Sequence, residues 1–172
     1  MISIRKKGML WYLFRGPVYL YRWHLGWLFG HRLLLLNHVG RRTGLPRHTV
    51  LEVVEYRKNG PEIVVVNGFG PECDWVRNIE ARGGEEVVIG GQRFPATHRF
   101  LGEDEAVSVM RAYEHRNRFI TPVVHAGLSW LLGWNYRGSE DDRRRLVRQL
   151  PLIAFRPRAS QDLSTVPMRR SA

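Results

Sequence analysis

The run Gly40-Arg41-Arg42-Thr43-Gly44-Leu45-Pro46-Arg47 places three guanidinium groups within seven residues. Such a cluster repels itself unless an anion sits among its members. The planar fork of arginine accepts two oxygens of a phosphate or carboxylate at once. The chemistry implied is anion capture, with a phosphate-bearing ligand as the first expectation. The two glycines let the chain bend through conformations closed to other residues, and Pro46 stiffens the far side. Other chemistry-bearing residues are scattered. His24, His31, His38, His48, His98, His115 and His125 form no i, i+4 pair and no zinc-like spacing with Cys73, so structural roles are expected for them and no metal. Ser129 lacks the context of an activated nucleophile. A helix start near Cys73 favours its thiolate, but Glu72 and Asp74 beside it oppose that. With no acid–base or nucleophilic constellation, any reaction is expected to come from a bound cofactor.

The basic loop must be held by the strands on either side. Arg32–His38 reads as a buried strand entering it, and Thr49–Tyr56 as the strand leaving it. A turn at 58–61 leads to a strand over Glu62–Asn67, then to the glycine-rich Gly68-Phe69-Gly70-Pro71. Asp74 is the expected N-cap of a short helix over Trp75–Ala81, stopped at Gly83-Gly84. Strands over Glu85–Ile89 and Gln92–Phe100 flank a Gly90-Gly91 hairpin turn. Helices are expected over Glu103–Arg118, from Thr121-Pro122 to about Trp134, and over Glu140–Gln149, before a last strand, Leu152–Arg156. Strands joined by tight turns favour an antiparallel sheet, and five or six of them suffice to close a small barrel. No dinucleotide or Walker fingerprint appears.

The chain has 172 residues and a net charge of +11, and the charge is uneven. Residues 1–51 hold nine Lys/Arg and no acid, whereas the remainder carries 18 basic and 16 acidic groups. Basicity thus belongs to the N-terminal segment and the loop, which points to a localised anionic partner. Residues 9–29 read as an amphipathic, aromatic helix re-phased at Gly16-Pro17. It is expected to pack on the domain or a second subunit, or to lie in a bilayer interface. Arg15, Arg22 and Arg32 interrupt any run long enough to span a membrane. Residues 1–158 are expected to form one domain, with 1–31 as its N-terminal region and 159–172 as a loose tail. One cysteine excludes an internal disulfide and suits a reducing cytoplasm. Nucleic-acid binding is disfavoured, since the arginines gather in one loop and no helix has a regularly basic face.

The pattern G-R-[KR]-[ST]-G-x-P-R between strands, followed by Val65–Gly68 and Trp75-Val76-Arg77-Asn78, resembles the deazaflavin-dependent nitroreductase family. Members are split β-barrel proteins of α+β class, antiparallel and related to FMN-binding barrels, with peripheral helices. They use coenzyme F-420, an 8-hydroxy-5-deazaflavin with a phosphodiester and an oligoglutamate tail; FMN is the alternative ligand. The resemblance implies that Arg41, Arg42 and Arg47 grip the phosphate and carboxylates, and that Thr43 and Gly44 complete that loop. It further implies that His48, Thr49, Val50 and Leu51 run beside the ring through backbone groups. Val66, Asn67 and Gly68, with Asp74, Trp75, Val76, Arg77 and Asn78, would form the opposite wall. Tyr113, Trp134 and Tyr136 are the candidates on the substrate side. The implied activity is hydride transfer from reduced F-420 to an electron-poor small molecule (a quinone, nitro compound or enone), in a monomer or homodimer, with peripheral membrane attachment through residues 1–31 left open. A non-catalytic barrel binding a flavin-like or lipid ligand is the alternative.

Overall fold

The computed structural model describes residues 31–57, 62–83 and 85–158. The expected helix over 9–29, the turn at 58–61 and the tail from 159 lie outside these residues. Six strands, β1 (Leu33–Val39), β2 (Pro46–Arg57), β3 (Glu62–Val66), β4 (Glu85–Ile89), β5 (Gln92–Phe100) and β6 (Leu152–Pro157), close into one antiparallel barrel in the order β1-β2-β3-β6-β5-β4. Four helices accompany them: α1 (Asp74–Arg82), α2 (Glu103–Arg116), α3 (Thr121–Leu132) and α4 (Glu140–Gln149), with a 3-10 turn at Arg118–Ile120. This is the α+β barrel that the order of elements predicted.

Each strand's burial follows from what covers its faces. In β1 the alternation sends Leu34, Leu36 and His38 inward. β3 is buried on both faces, which explains its unbroken Ile63-Val64-Val65 run. Ile63 and Val65 join the barrel interior with Leu51, Val87, Ile153 and Phe155, and Trp75, Val76 and Ile79 of α1 pack into the same cluster. Val64 faces outward into a second core with Leu152 and Ala154, covered by Met110, Leu132 and Leu146. Ordinary alternation sends adjacent Val53 and Val54 to the two cores, and a register shift between Val53 and Glu55 then turns Tyr56, not Glu55, to the barrel side. β2 pairs with β1 over Pro46 to Glu52 and with β3 over Val53 to Arg57.

Several boundaries differ from the sequence expectation, three of them with a clear physical reason. β2 starts at Pro46 rather than Thr49, so Arg47 and His48 are strand residues with fixed facing instead of loop residues. Proline is tolerated there because it is the first residue of the strand. The N-cap of α1 is Cys73, not Asp74; Asp74 is the first helical residue, and its carboxylate serves Arg41. α2 ends at Arg116, and residues 118–120 tighten into the 3-10 turn.

Candidate functional site

The hairpin joining β1 to β2 is closed by its own backbone: Gly40 N–H donates to Leu45 O (2.9 Å) and Gly44 N–H to Gly40 O (2.8 Å). Gly44 has φ +67°, which favours glycine. A Cβ on Gly40 would lie 2.9 Å from Thr43 Oγ1 and 3.7 Å from Arg47 Nε, so the absence of a side chain there is what lets the loop fold beside Arg47. The loop, the first residues of β2, the start of α1 and the 69–73 segment surround a cleft of about 610 Å³.

Of the expected site residues, the structure brings Arg41, Arg42, Thr43, Arg47, His48, Thr49, Asp74, Trp75 and Asn78 together around this cleft. The arginines are not equivalent. Arg41 Nη1 donates to Asp74 Oδ1 (2.9 Å) and Asn78 Oδ1 (3.0 Å), and its backbone N–H also reaches Asn78 Oδ1 (3.0 Å). It fastens the loop to α1. Arg42 and Arg47 are exposed, and among the described residues neither meets a carboxylate. Behind the cleft wall Trp75 is 4% exposed, and its buried indole Nε1–H has no partner among the described residues. A buried donor without an acceptor costs about 1–3 kcal/mol.

His48 stands at the cleft with its Nδ1 2.7 Å from Asn37 Oδ1; Asn37 Nδ2 is committed to Glu86 (2.6 Å), so His48 Nδ1 is the donor and Nε2 is left over. Sequence reasoning missed His38, Phe69 and Cys73, which also line the cleft. The signal for His38 was available, since it continues the inward alternation of Leu34 and Leu36. It is 5% exposed, and burial first, then His48 and Arg47 beside it, bring its pKa down to about 4. Burial pushes the Cys73 thiol up, against its hydrogen bond to Asn67 and the amides of the helix start, so it sits as a thiol at neutral pH.

The remaining expected residues lie elsewhere. Leu51 and Val76 are core, Val50 is half-buried on the outside of the barrel, and Arg77 pairs with Glu72. Asn67 is fully buried; it organises the loop by accepting from Phe69 N–H (3.2 Å) and Cys73 Sγ (3.3 Å). Val66 and Gly68 contact the helical side, Gly68 next to Leu131, and Gly44 sits exposed at the loop tip. The structure does not bring Tyr113, Trp134 or Tyr136 to the cleft. All three belong to the second core outside the barrel, where Tyr136 O–H donates to buried Glu114, Tyr113 O–H to Glu52 (2.6 Å) and Trp134 Nε1–H to Gln149 (2.9 Å).

A closed antiparallel barrel with a cationic cleft between the end of β1 and the start of β2 offers a site whose chemistry suits an anionic small molecule. Residues 21–118 match the model of the F420H(2)-dependent quinone reductase family, and the chain belongs to that family. It is therefore an oxidoreductase dependent on coenzyme F-420. Among solved structures, the F420-H2 dependent reductase FDR-A is 20% identical over 73% of this chain and 95% of its own, with a TM-score of 0.43. The heme storage protein HutZ of Vibrio cholerae is 12% identical, covering 81% and 90%, with a TM-score of 0.46. A pyridoxamine 5'-phosphate oxidase-related, FMN-binding protein of Nostoc punctiforme is 15% identical, covering 84% and 80%, with a TM-score of 0.42. Comparison with curated proteins gives no match.

Proposed function

We propose that the cleft is the coenzyme site and that the acceptor is a flat, apolar, electron-poor molecule such as a quinone. The observation that carries this is the pair of guanidiniums, Arg42 and Arg47, that meet no carboxylate among the described residues and line a cleft closed on its other side by the start of α1. The coenzyme's tail is a string of anions, which that pair matches, and its ring carries carbonyl acceptors. Arg42 and Arg47 hold the phosphate and carboxylates, Trp75 offers its N–H to the ring, and Arg41 with Asn78 keeps the loop in place. Bound there, the reduced deazaflavin supplies a hydride to the acceptor. Phe69, 51% exposed at the cleft, provides an apolar lip for that acceptor. His48, with Nδ1–H fixed by Asn37, leaves Nε2 to take a proton from water and pass it to the reduced product.

Titration of the purified full chain with oxidised coenzyme, followed by ring fluorescence, tests the assignment. Arg42→Ala and Arg47→Ala should each weaken binding about 10- to 100-fold, the worth of one charge-assisted contact. Wild-type affinity should fall as salt rises. Oxidation of reduced coenzyme with menadione should be slowed about tenfold or more by His48→Gln at unchanged coenzyme affinity. Equal binding by wild type and both arginine variants would refute the site.

Residues 1–31 are further proposed to hold the protein at an anionic membrane surface, on the strength of their acid-free, aromatic composition. No helix among the described residues is long and apolar enough to cross a membrane. Co-sedimentation with anionic but not neutral vesicles, lost on deletion of 1–31, is the expected result.

A further inference from the structure

The hydrogen bonds behind Thr49 run in one direction only. Asn78 Oδ1 receives the backbone N–H and the guanidinium of Arg41, both at 3.0 Å. Both are donors with no capacity to accept, so the atom they meet is the amide oxygen. The other amide atom, Nδ2, must then donate to His38 Nδ1 at 3.3 Å, which obliges that ring nitrogen to carry a lone pair. A neutral imidazole with its lone pair on Nδ1 bears its hydrogen on Nε2, and Nε2 lies 3.2 Å from Thr49 Oγ1. The Thr49 oxygen is thus an acceptor toward His38, and its own hydrogen finds no acceptor among the described residues. Thr49 lines the cleft.

We infer that Thr49 is a hydrogen-bond donor to the bound coenzyme, its hydroxyl hydrogen left for an acceptor atom of the ligand by the relay Arg41–Asn78–His38. His38 and Asn78 are positioning residues: His38 donates to the hydroxyl and Asn78 fixes the tautomer of His38. The relay holds as long as His38 is neutral. The groups facing it are Arg47 and His48 of β2, which oppose its protonation along with burial, and Glu85 of β4, which favours it. Their balance keeps it neutral well below pH 7. The ligand atom proposed to accept from Thr49 is an oxygen, either a carbonyl of the ring or an oxygen of the phosphodiester. This inference rests on the cleft being the coenzyme site.

Two measurements on the full chain test it. Long-range proton–nitrogen spectra of the histidines should show His38 as the Nε2–H tautomer, without titration from pH 5.5 to 8. A cationic His38 at pH 7, or the Nδ1–H tautomer, would overturn the relay in the wild-type protein without any substitution. In fluorescence titrations with oxidised coenzyme, Thr49→Val should weaken binding about tenfold, while Thr49→Ser stays within about threefold of wild type. The tail-less ring riboside separates the two oxygen sources. If Thr49→Val weakens it too, the acceptor is a ring carbonyl; if only the full coenzyme is affected, it is the phosphodiester. Wild-type binding by Thr49→Val while Arg42→Ala and Arg47→Ala lose affinity would sink the donor assignment alone. Loss of no affinity in any of these variants would sink the site itself.

Discussion

Single residues at the cleft divide into those that hold the protein together and those left with unmet valence. Arg41 is of the first kind and Arg42, Arg47 and Trp75 of the second, although the loop sequence presents the three arginines as alike. The difference was not legible because the partners of Arg41, Asp74 and Asn78, lie 33 and 37 residues further along the chain. Trp75 allows a clean separation of folding from binding. Trp75→Phe keeps most of the ring's packing and removes a buried donor that nothing among the described residues satisfies. The urea midpoint should therefore not fall, whereas coenzyme affinity should drop several-fold, by about 1 kcal/mol. A lowered midpoint with unchanged affinity would mean that the indole N–H has a structural partner after all.

Elements were easier to read than their ends. The glycine pair at 90–91, both with positive φ, gave a hairpin whose strands were placed to the residue, and α4 was placed equally well from its highly charged run. Ser139 accepts from Asp142 N–H (3.1 Å), and the Asp142 carboxylate returns a bond to the Ser139 amide (3.3 Å), closing a reciprocal cap. Ser139→Ala should lower stability by about 1 kcal/mol in urea unfolding without altering coenzyme binding, since α4 covers the second core and not the cleft. β2 was read three residues short because proline suggests a loop; only pairing with β1 shows that Pro46 opposes Val39 within the ladder.

At the scale of the whole barrel, the antiparallel character was legible from the tight turns, but the closing pairs β1–β4 and β3–β6 were not, since they join distant parts of the chain. One carboxylate lies where four strands meet. Glu62 of β3 is 2% exposed and receives Arg57 of β2 (2.7 Å), Arg99 of β5 (2.9 Å) and Arg156 of β6 (2.8 Å). Burial pushes its pKa up, but the bonds from Arg99 and Arg156 outweigh that and hold it below the usual carboxylate range. Glu105, bonded to Arg99 and Arg57, is held at about 2. Carboxylates depressed on folding stabilise above their unfolded pKa of about 4.5 and lose that contribution as pH falls toward 2. Glu62→Gln should cost about 2–3 kcal/mol at pH 7, because three guanidiniums lose their shared counter-charge. The gap to wild type should narrow as pH drops from about 4.5 toward 2, read by urea unfolding at each pH. A constant gap would mean that charge is not what the site supplies.

The division of β2 between two neighbours carries one more consequence. From Pro46 to Glu52 it is laddered to β1 alone, so in an antiparallel pair every second peptide group of that half points away from β1 toward no other strand. This is the stretch that borders the cleft. On the proposed placement of the coenzyme, its flat ring would dock there as a surrogate strand, read in part by main-chain amides and carbonyls that no side-chain replacement can erase. That share of the recognition is written into the path of the chain, which leaves Val50, half-buried on the outside of the barrel, free to vary while the same ring continues to fit.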